Sequence, residues 1–394
     1  MQFKTLLFAA SAALVSAQEP VALADALSST PELSQLLEIL GGFPDLVSTL
    51  GNASNITIFA PSNDALTEAA SALEALQSTP DAIAALLTYH VVNGSIMAAN
   101  ITETPTFVHT LLANETYTQV TDGQVIGARL EGENVVIQSG LGGSANVTTA
   151  DIAITNGSVV HIIDSVLAIP QNLYLTALQA NLTAVAGALN ATNLTEPLIE
   201  SSDITVFAPT TEAFDDIASA LANLTAEDAA AILGYHVING TVAYSSLLGN
   251  TSIAASSGQD LNITVIDGAV FVNAARVIAA DVLIANGVVH VIDSVLNPNS
   301  TLTPDPSNED SVVQFDGATD EGEVAYTSNI PAASTMLVTT TANVAEGYTA
   351  VPTENLASLS SAAAEGTSSA GAPRMTGAVA AAVLFGAAGF AAQM

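Results

Sequence analysis

Three short blocks recur in the same order in the two halves of this chain, and that duplication constrains the fold more than any single residue. The first set reads Ile56-Thr57-Ile58-Phe59-Ala60-Pro61, then Tyr89-His90-Val91-Val92-Asn93-Gly94, then Asn156-Gly157-Ser158-Val159-Val160-His161-Ile162-Ile163-Asp164-Ser165-Val166-Leu167. The second reads Ile204-Thr205-Val206-Phe207-Ala208-Pro209, then Tyr235-His236-Val237-Ile238-Asn239-Gly240, then Asn286-Gly287-Val288-Val289-His290-Val291-Ile292-Asp293-Ser294-Val295-Leu296. The copies lie roughly 130 to 150 residues apart, far beyond the period of about 20–50 of a solenoid repeat, so each copy is expected to close its own core. Two tandem modules are predicted, at 18–169 and 170–297.

Each copy opens on an amphipathic helix. Leu33, Leu36, Leu37 and Leu40 keep helical spacing before Gly41-Gly42, and Leu175, Leu178, Leu182, Val185 and Leu189 keep the same rhythm. A β-rich run follows, ended by Pro61 or Pro209. A further helix precedes each Tyr-His pair: Thr79-Pro80-Asp81 and Thr225-Ala226-Glu227-Asp228 supply a capping hydroxyl and early acids. Strands are expected at 135–138, 159–163, 263–266 and 288–292. Helices early, strands late and no βαβ rhythm predict an α+β fold with antiparallel sheets. The first copy carries extra residues between 101 and 144, read as a longer loop or hairpin.

The two ends read as processing signals. Residues 1–17 combine Lys4, an apolar run over 6–15 and Val15-Ser16-Ala17, the pattern of a cleaved secretory leader. Residues 373–394 hold an uncharged apolar tail behind a window of small residues, which fits a glycolipid (GPI) anchor signal with Ser368, Ser369, Ala370 and Gly371 as attachment candidates. The tail is short and glycine-interrupted for a membrane span. Between them, 298–372 is rich in Ser, Thr, Ala and Pro and poor in large apolar residues, and reads as a disordered stalk. Apolar islands at 312–315 and 336–338 could dock locally.

The formal net charge is −34, and once both ends are removed only Arg129 and Arg276 remain as bases. Phosphate backbones need neutralising cations, so nucleic acid is excluded as a partner, and anionic lipid surfaces are disfavoured. Membrane contact is therefore expected only through the lipid anchor. The absence of cysteine excludes thiol chemistry and Cys-based zinc sites, leaving stability to hydrophobic cores. Glycosylation acceptors begin at Asn52, Asn55, Asn93, Asn100, Asn114, Asn146, Asn156, Asn181, Asn190, Asn193, Asn223, Asn239, Asn250, Asn262 and Asn299. A secretory route makes them usable, and each used one must lie on the surface.

The Thr-Ile/Val-Phe-Ala-Pro, Tyr-His-Val and Asn-Gly-x-Val-His-x-Ile-Asp-x-Val-Leu blocks resemble the conserved segments of fasciclin (FAS1) domains, in order and twice. The resemblance implies wedge-shaped β-sandwiches edged by helices, in tandem on secreted or lipid-anchored adhesion proteins. In some animal members a Tyr-His and an Asp-Ile motif are implicated in integrin binding. The matching positions are Tyr89, His90, Asp151 and Ile152 in the first module, and Tyr235, His236, Asp281 and Val282 in the second. Val282 departs from Ile, Ser158 is an extra residue after the first Asn-Gly, and no Arg-Gly-Asp is present. A plainer role for His90 and His236 is to satisfy backbone groups at a helix end. His161 and His290, within β-branched runs, read as satisfied, partly buried histidines.

His161, Asp164 and Ser165, like His290, Asp293 and Ser294, superficially suggest a hydrolase. Residues three apart on a strand face opposite sides, and no nucleophile elbow is present, so no catalytic residue is assigned. The glycine-rich stretch 140–145 reads as a turn. Five scattered histidines offer no metal-ligand spacing, so neither metal nor cofactor is expected. Asp215-Asp216 and Asp320-Glu321-Gly322-Glu323 read as solvated acids. The expected function is adhesion to extracellular-matrix or cell-wall proteins or polysaccharides, with homophilic association as a further option. A structural coat protein acting through its glycans, and a carbohydrate-active or ester-cleaving enzyme, are the alternatives.

Overall fold

In the computed structural model, which describes residues 20–308, 311–320, 325–327 and 330, the duplicated blocks fall on matching elements. The leader at 1–17, the island at 336–338, the attachment candidates 368–371 and the tail at 373–394 lie outside the described residues.

The first module runs α1 (Leu23–Ser29), α2 (Ser34–Gly41), α3 (Pro44–Asn52), β1 (Ile56–Pro61), α4 (Asn63–Glu68), α5 (Ala70–Leu76), α6 (Pro80–Tyr89), β2 (Val91–Asn93), β3 (Thr106–His109), β4 (Val125–Glu131), β5 (Asn134–Gln138), β6 (Ser144–Ile154) and β7 (Ser158–Ile163). The second repeats the plan: α7 (Leu173–Gln179), α8 (Thr183–Ala191), α9 (Thr195–Glu200), β8 (Ile204–Pro209), α10 (Thr211–Asp215), α11 (Ala218–Leu221), α12 (Ala226–Tyr235), β9 (Val237–Ile238), β10 (Thr251–Ala254), β11 (Asp260–Ile266), β12 (Ala269–Val272), β13 (Ala275–Ile284) and β14 (Gly287–Ile292). Each module is a helix-edged wedge around a seven-stranded sheet, ordered β2-β1-β7-β6-β5-β4-β3 and β10-β11-β12-β13-β14-β8-β9. The sheet of the first module closes on itself where Val92 bridges Thr110.

The sheets are mixed rather than antiparallel. β1 runs parallel to β7 with Phe59 opposite His161, and β8 runs parallel to β14 with Phe207 opposite His290. This pairing joins strands about a hundred residues apart in the first module and therefore leaves no local trace in the sequence. Phe59 and Phe207 are both wholly buried, and each stacks on its facing histidine, at ring-centroid distances of 5.6 and 5.5 Å. Each module has its own core, so the duplication holds in packing as well as in order.

Two local expectations change, and a third is narrowed to the first of its two forms, a longer loop. The apolar stripe opening the second copy breaks into α7 and α8, because Asn181 adopts a left-handed φ of 58° between them. Thr225 and Asp228 form a reciprocal capping box, whereas Thr79 makes no side-chain cap bond at the start of α6. The extra residues of the first copy add no strand. They lengthen the β3–β4 connection, which spans 110–124, whereas β10 and β11 are joined by 255–259 alone.

That long loop is what holds the modules together. Gln119 N and Thr118 Oγ1 donate to Ala285 O at 2.9 and 3.2 Å, Thr121 donates from both backbone and hydroxyl to Asp203, and buried Gln124 reaches Ile284 O and Ala285 O. Beside it, Phe107 stacks on Tyr244 at 4.2 Å, over buried Val125, Leu283 and Val288. The linker at 168–172 is itself buried, and a Cβ at Gly140 would come within 2.4 Å of Pro170 N.

Composition predicts a stalk over 298–372; of it, 331–372 lies outside the described residues, and the structure lays 311–320 and 325–327 across the helices of the second module. Asn297 donates from its backbone N and Nδ2 to Gln314 Oε1 and O, and Ser219 and Thr319 bond in both directions. Tyr326 packs edge-on against Phe214 with its backbone against Gly187, where a Cβ would come within 1.7 Å of Tyr326 O. Phe315, Ala318, Ala325, Tyr326 and Ile330 all pack on the core of the second module, apolar anchors within a segment of low average hydrophobicity.

Candidate functional site

The repeated Tyr-His and His/Asp motifs converge inside each module into two clamps. His90 ends α6: its Nδ1 lies 2.7 Å from Leu86 O, and Leu167 N donates to its Nε2 at 2.9 Å. His236 repeats this with Ile232 O and Leu296 N at 2.7 and 2.9 Å. Because Nε2 accepts, the proton must sit on Nδ1 and the ring must be neutral. Burial pushes both rings down to about 4, against a smaller opposing pull from the carbonyl each one bonds. Tyr89 and Tyr235 lie beside them, also buried, with their hydroxyls donating to Val125 O and Asp260 O.

The second clamp uses a bulge. β6 and β13 each slip register twice, and the bulged residues Asp151 and Asp281 take left-handed φ of 60° and 64°. This turns their N–H groups onto Nδ1 of His161 and His290, at 3.2 and 3.3 Å. The opposite nitrogens lie 2.8 Å from Ile96 O and Ala243 O, which fixes Nε2–H as the donor. Burial lowers both of these histidines as well, partly offset at each by the backbone carbonyl and the neighbouring aspartate. The aspartates reach forward: Asp151 accepts from Ala98 N at 2.9 Å, and Asp281 from Ser245 N at 2.7 Å and the Ser245 hydroxyl. The second clamp therefore ties each bulge to the loop that follows the Tyr-His strand, whereas the first ties the end of α6 or α12 to the backbone after β7 or β14.

The eight positions singled out by resemblance are thus mostly internal. Tyr89, His90, Tyr235, His236, Asp281 and Val282 are buried, and Asp151 and Ile152 are half-buried. As folded, the buried ones turn inward rather than outward as contact groups, and of the eight Asp151 and Asp281, together with His161 and His290, bond the loops at 95–100 and 241–247. Those loops expose apolar side chains that sequence reading passed over, Met97 at 38 % and Leu247 at 70 %. The available signal was position, since both follow a duplicated Tyr-His block.

His161 and Asp164 do not meet: Asp164 accepts from Asn146 N and Nδ2, while Asp293 accepts from Arg276 N and the Ser294 hydroxyl. The 140–145 stretch opens on a 3-10 turn at Gly140–Gly142, packed against the linker, and runs into β6. Among the described residues no three His, Asp or Glu side chains gather as a metal site would need, and no helix is long and apolar enough to cross a membrane.

Fourteen of the fifteen acceptor asparagines are exposed. Asn190 is the exception: it is buried within α8, so a glycan there is incompatible with this fold, and it leaves the candidate set. None of the fourteen belongs to the residues that join the modules.

Comparison with known proteins gives a consistent picture. The fasciclin domain family model matches residues 31–170 and 180–298. A fasciclin-like arabinogalactan protein of Arthroderma benhamiae is 33% identical over 317 residues, 79% of this chain and 75% of its own length. The fasciclin-like arabinogalactan protein elcF of Phaeosphaeria nodorum is 30% identical over 273 residues, covering 68% and 86%. Among solved structures, a FAS1 domain pair from the insect cell adhesion molecule fasciclin I matches at 21% identity with a TM-score of 0.32, covering 68% of this chain and 97% of that one.

Proposed function

The chain belongs to the fasciclin family, and from that premise we propose a non-catalytic surface glycoprotein whose two modules act as one adhesive body toward cell-wall or matrix polymers. The observation that carries this reading is the sequon map. Fourteen acceptors face solvent over both modules, and the seam between the modules carries none, as expected of a body built to stand glycosylated outside the cell. The likeness to arabinogalactan proteins adds support. So does the use of both ring nitrogens of His90, His161, His236 and His290 by backbone groups, which leaves these rings no free base.

Partner contact would run through the loops the clamps hold, at Met97 and Leu247, rather than through the clamp residues themselves. The lipid tether would attach at one of residues 368–371; ethanolamine on the mature C-terminus is the readout for it.

The test applies glycosylated protein spanning 18–330 to an array of wall polysaccharides and matrix proteins, before and after glycan removal. Binding to a defined ligand that survives deglycosylation supports adhesion through protein. Binding lost with the glycans favours the coat reading, and no binding in either form overturns adhesion.

A further inference from the structure

The two modules differ at one face, and the difference marks a docking site. In the second module, Gly187 of α8, Phe214 of α10 and Ser219 of α11 receive the chain's own residues 311–320 and 325–327. At constant offset the first module places Ile39, Leu66 and Ser71 at the corresponding positions on α2, α4 and α5, with Leu73 matching Leu221 of α11. Among the described residues no segment lies across these helices, because after β7 the chain runs on into the second module instead of turning back over them.

Two observations show that this uncovered face is unfinished. A cavity of ≈ 50 Å³ lies beneath it, walled by apolar side chains including Leu36, Ile39, Leu66, Leu73 and Ile83. Helix α5 above it buries no residue, whereas its counterpart α11 buries Ala218 and Leu221 and is pinned through Ser219. Ile39, Leu73 and Ile83 are only half-buried, so the cavity reaches the surface. An apolar void of this kind offers water no partners and loses dispersion contacts on its lining.

The chemistry of the occupant follows from the rim. Asp25, Glu38, Asp64, Glu68, Glu74 and Asp81 are exposed on the helices that wall the cavity, and no Lys or Arg occurs between residues 20 and 91. The chain's own strap is a poor match: 311–330 contains Asp316, Asp320, Glu321 and Glu323 and no base, so a second copy would meet like charge. Ile39, standing where the second module has Gly187, also blocks a backbone lying flat on the helix, so entry must be by a side chain.

We propose that the cavity under α5 of the first module receives one apolar side chain from a lysine- or arginine-bearing extended segment of another protein.

The probe is a fluorescent peptide with phenylalanine flanked by lysines, tested by anisotropy on glycosylated protein spanning 18–330. The controls are the same peptide with alanine for phenylalanine, a peptide of residues 311–330, and a labelled fatty acid. The phenylalanine peptide should bind at least about tenfold tighter than the alanine and 311–330 peptides, and the advantage over 311–330 should shrink with salt. Ile83→Phe, which fills the cavity, and Leu73→Lys, which puts a cation at its half-exposed mouth, should each weaken binding about tenfold or more. The second variant keeps the test valid if the first perturbs folding. Joint Asp64→Asn, Glu68→Gln and Glu74→Gln should weaken binding about tenfold at low salt only. Equal binding of the alanine peptide, binding unchanged in both cavity variants, or capture of the fatty acid with no peptide binding would each overturn the proposal.

Discussion

Mild acid should destabilise both modules through His90 and His236. Each is neutral in the fold and pushed down to about 4, from about 6.5 when unfolded. Between those values the unfolded chain binds more protons than the native one, so stability is complete above about pH 6.5 and falls as pH drops through the window. At about 1.4 kcal/mol per pH unit for one histidine, the loss from pH 7 to pH 5 comes to about 2 kcal/mol per module. His161 and His290 are lowered too and add in the same direction. Asp215 and Asp293 are raised, mainly by burial, and act oppositely as the carboxylate range is approached, so pH 5 is the sensible lower limit. The assay is urea unfolding of the 18–330 protein at several pH values, beside a His90→Gln/His236→Gln variant. The variant should be weaker at pH 7, because Leu86 O, Leu167 N and their counterparts lose partners, yet its pH slope should be shallower by about 1.4 kcal/mol per pH unit for each histidine replaced. Equal slopes in the two proteins would mean these rings already carry protons in the fold, and the tautomer assignment would fail.

Three further outcomes are expected. Gly187→Ala should eject the strap, since its Cβ would come within 1.7 Å of Tyr326 O; hydrogen exchange at 311–327 should rise and the second module should lose about 2 kcal/mol. Tyr244→Ala, which removes the ring stacked 4.2 Å from Phe107, should cost about 3 kcal/mol and split one calorimetric transition into two, whereas a single unshifted transition would show that the seam carries no coupling. Glycopeptide mapping should find no sugar at Asn190, and Asn190→Gln should leave the glycoprotein's carbohydrate mass unchanged.

What the sequence disclosed was local or duplicated. The recurrence of the Phe59 and Phe207 blocks announced two equivalent cores, and Thr225 with Asp228 announced a helix start, because both signals lie within a few residues of their effect. What stayed hidden needed a distant partner. The parallel pairing of β1 with β7 joins the opening strand of a module to its closing one. The seating of 311–320 and 325–327 brings Phe315 onto the core of the second module and Tyr326 onto α8 and α10, which an average over composition cannot reveal. One clue was present: Gly187 lies inside a helix, where glycine costs about 1 kcal/mol relative to alanine, and that cost implies a close neighbour. The Tyr-His motif was visible but its direction was not, since an inward and an outward histidine share the same letters.

The outer faces of the two modules do not repeat the seam between them. The second module meets the first with Val242, Tyr244 and Leu283, an apolar face that the long β3–β4 loop covers. The equivalent hydrogen bonds, Ile96 N and Ala243 N to the strand threonines, and Ala98 N and Ser245 N to the bulge aspartates, set the register between the copies. In that register the matching face of the first module presents Ser95, Met97 and Ala153, with no aromatic ring to stack on. Exposed acceptors Asn55, Asn93 and Asn156 crowd the same strand ends, where Asn55 N donates to Asn156 O and Ile56 pairs with Asn93. A head-to-tail contact repeats without limit unless one end differs. Here both ends differ: the second module lacks the long loop that would dock onward, and the first lacks the apolar face that would receive one.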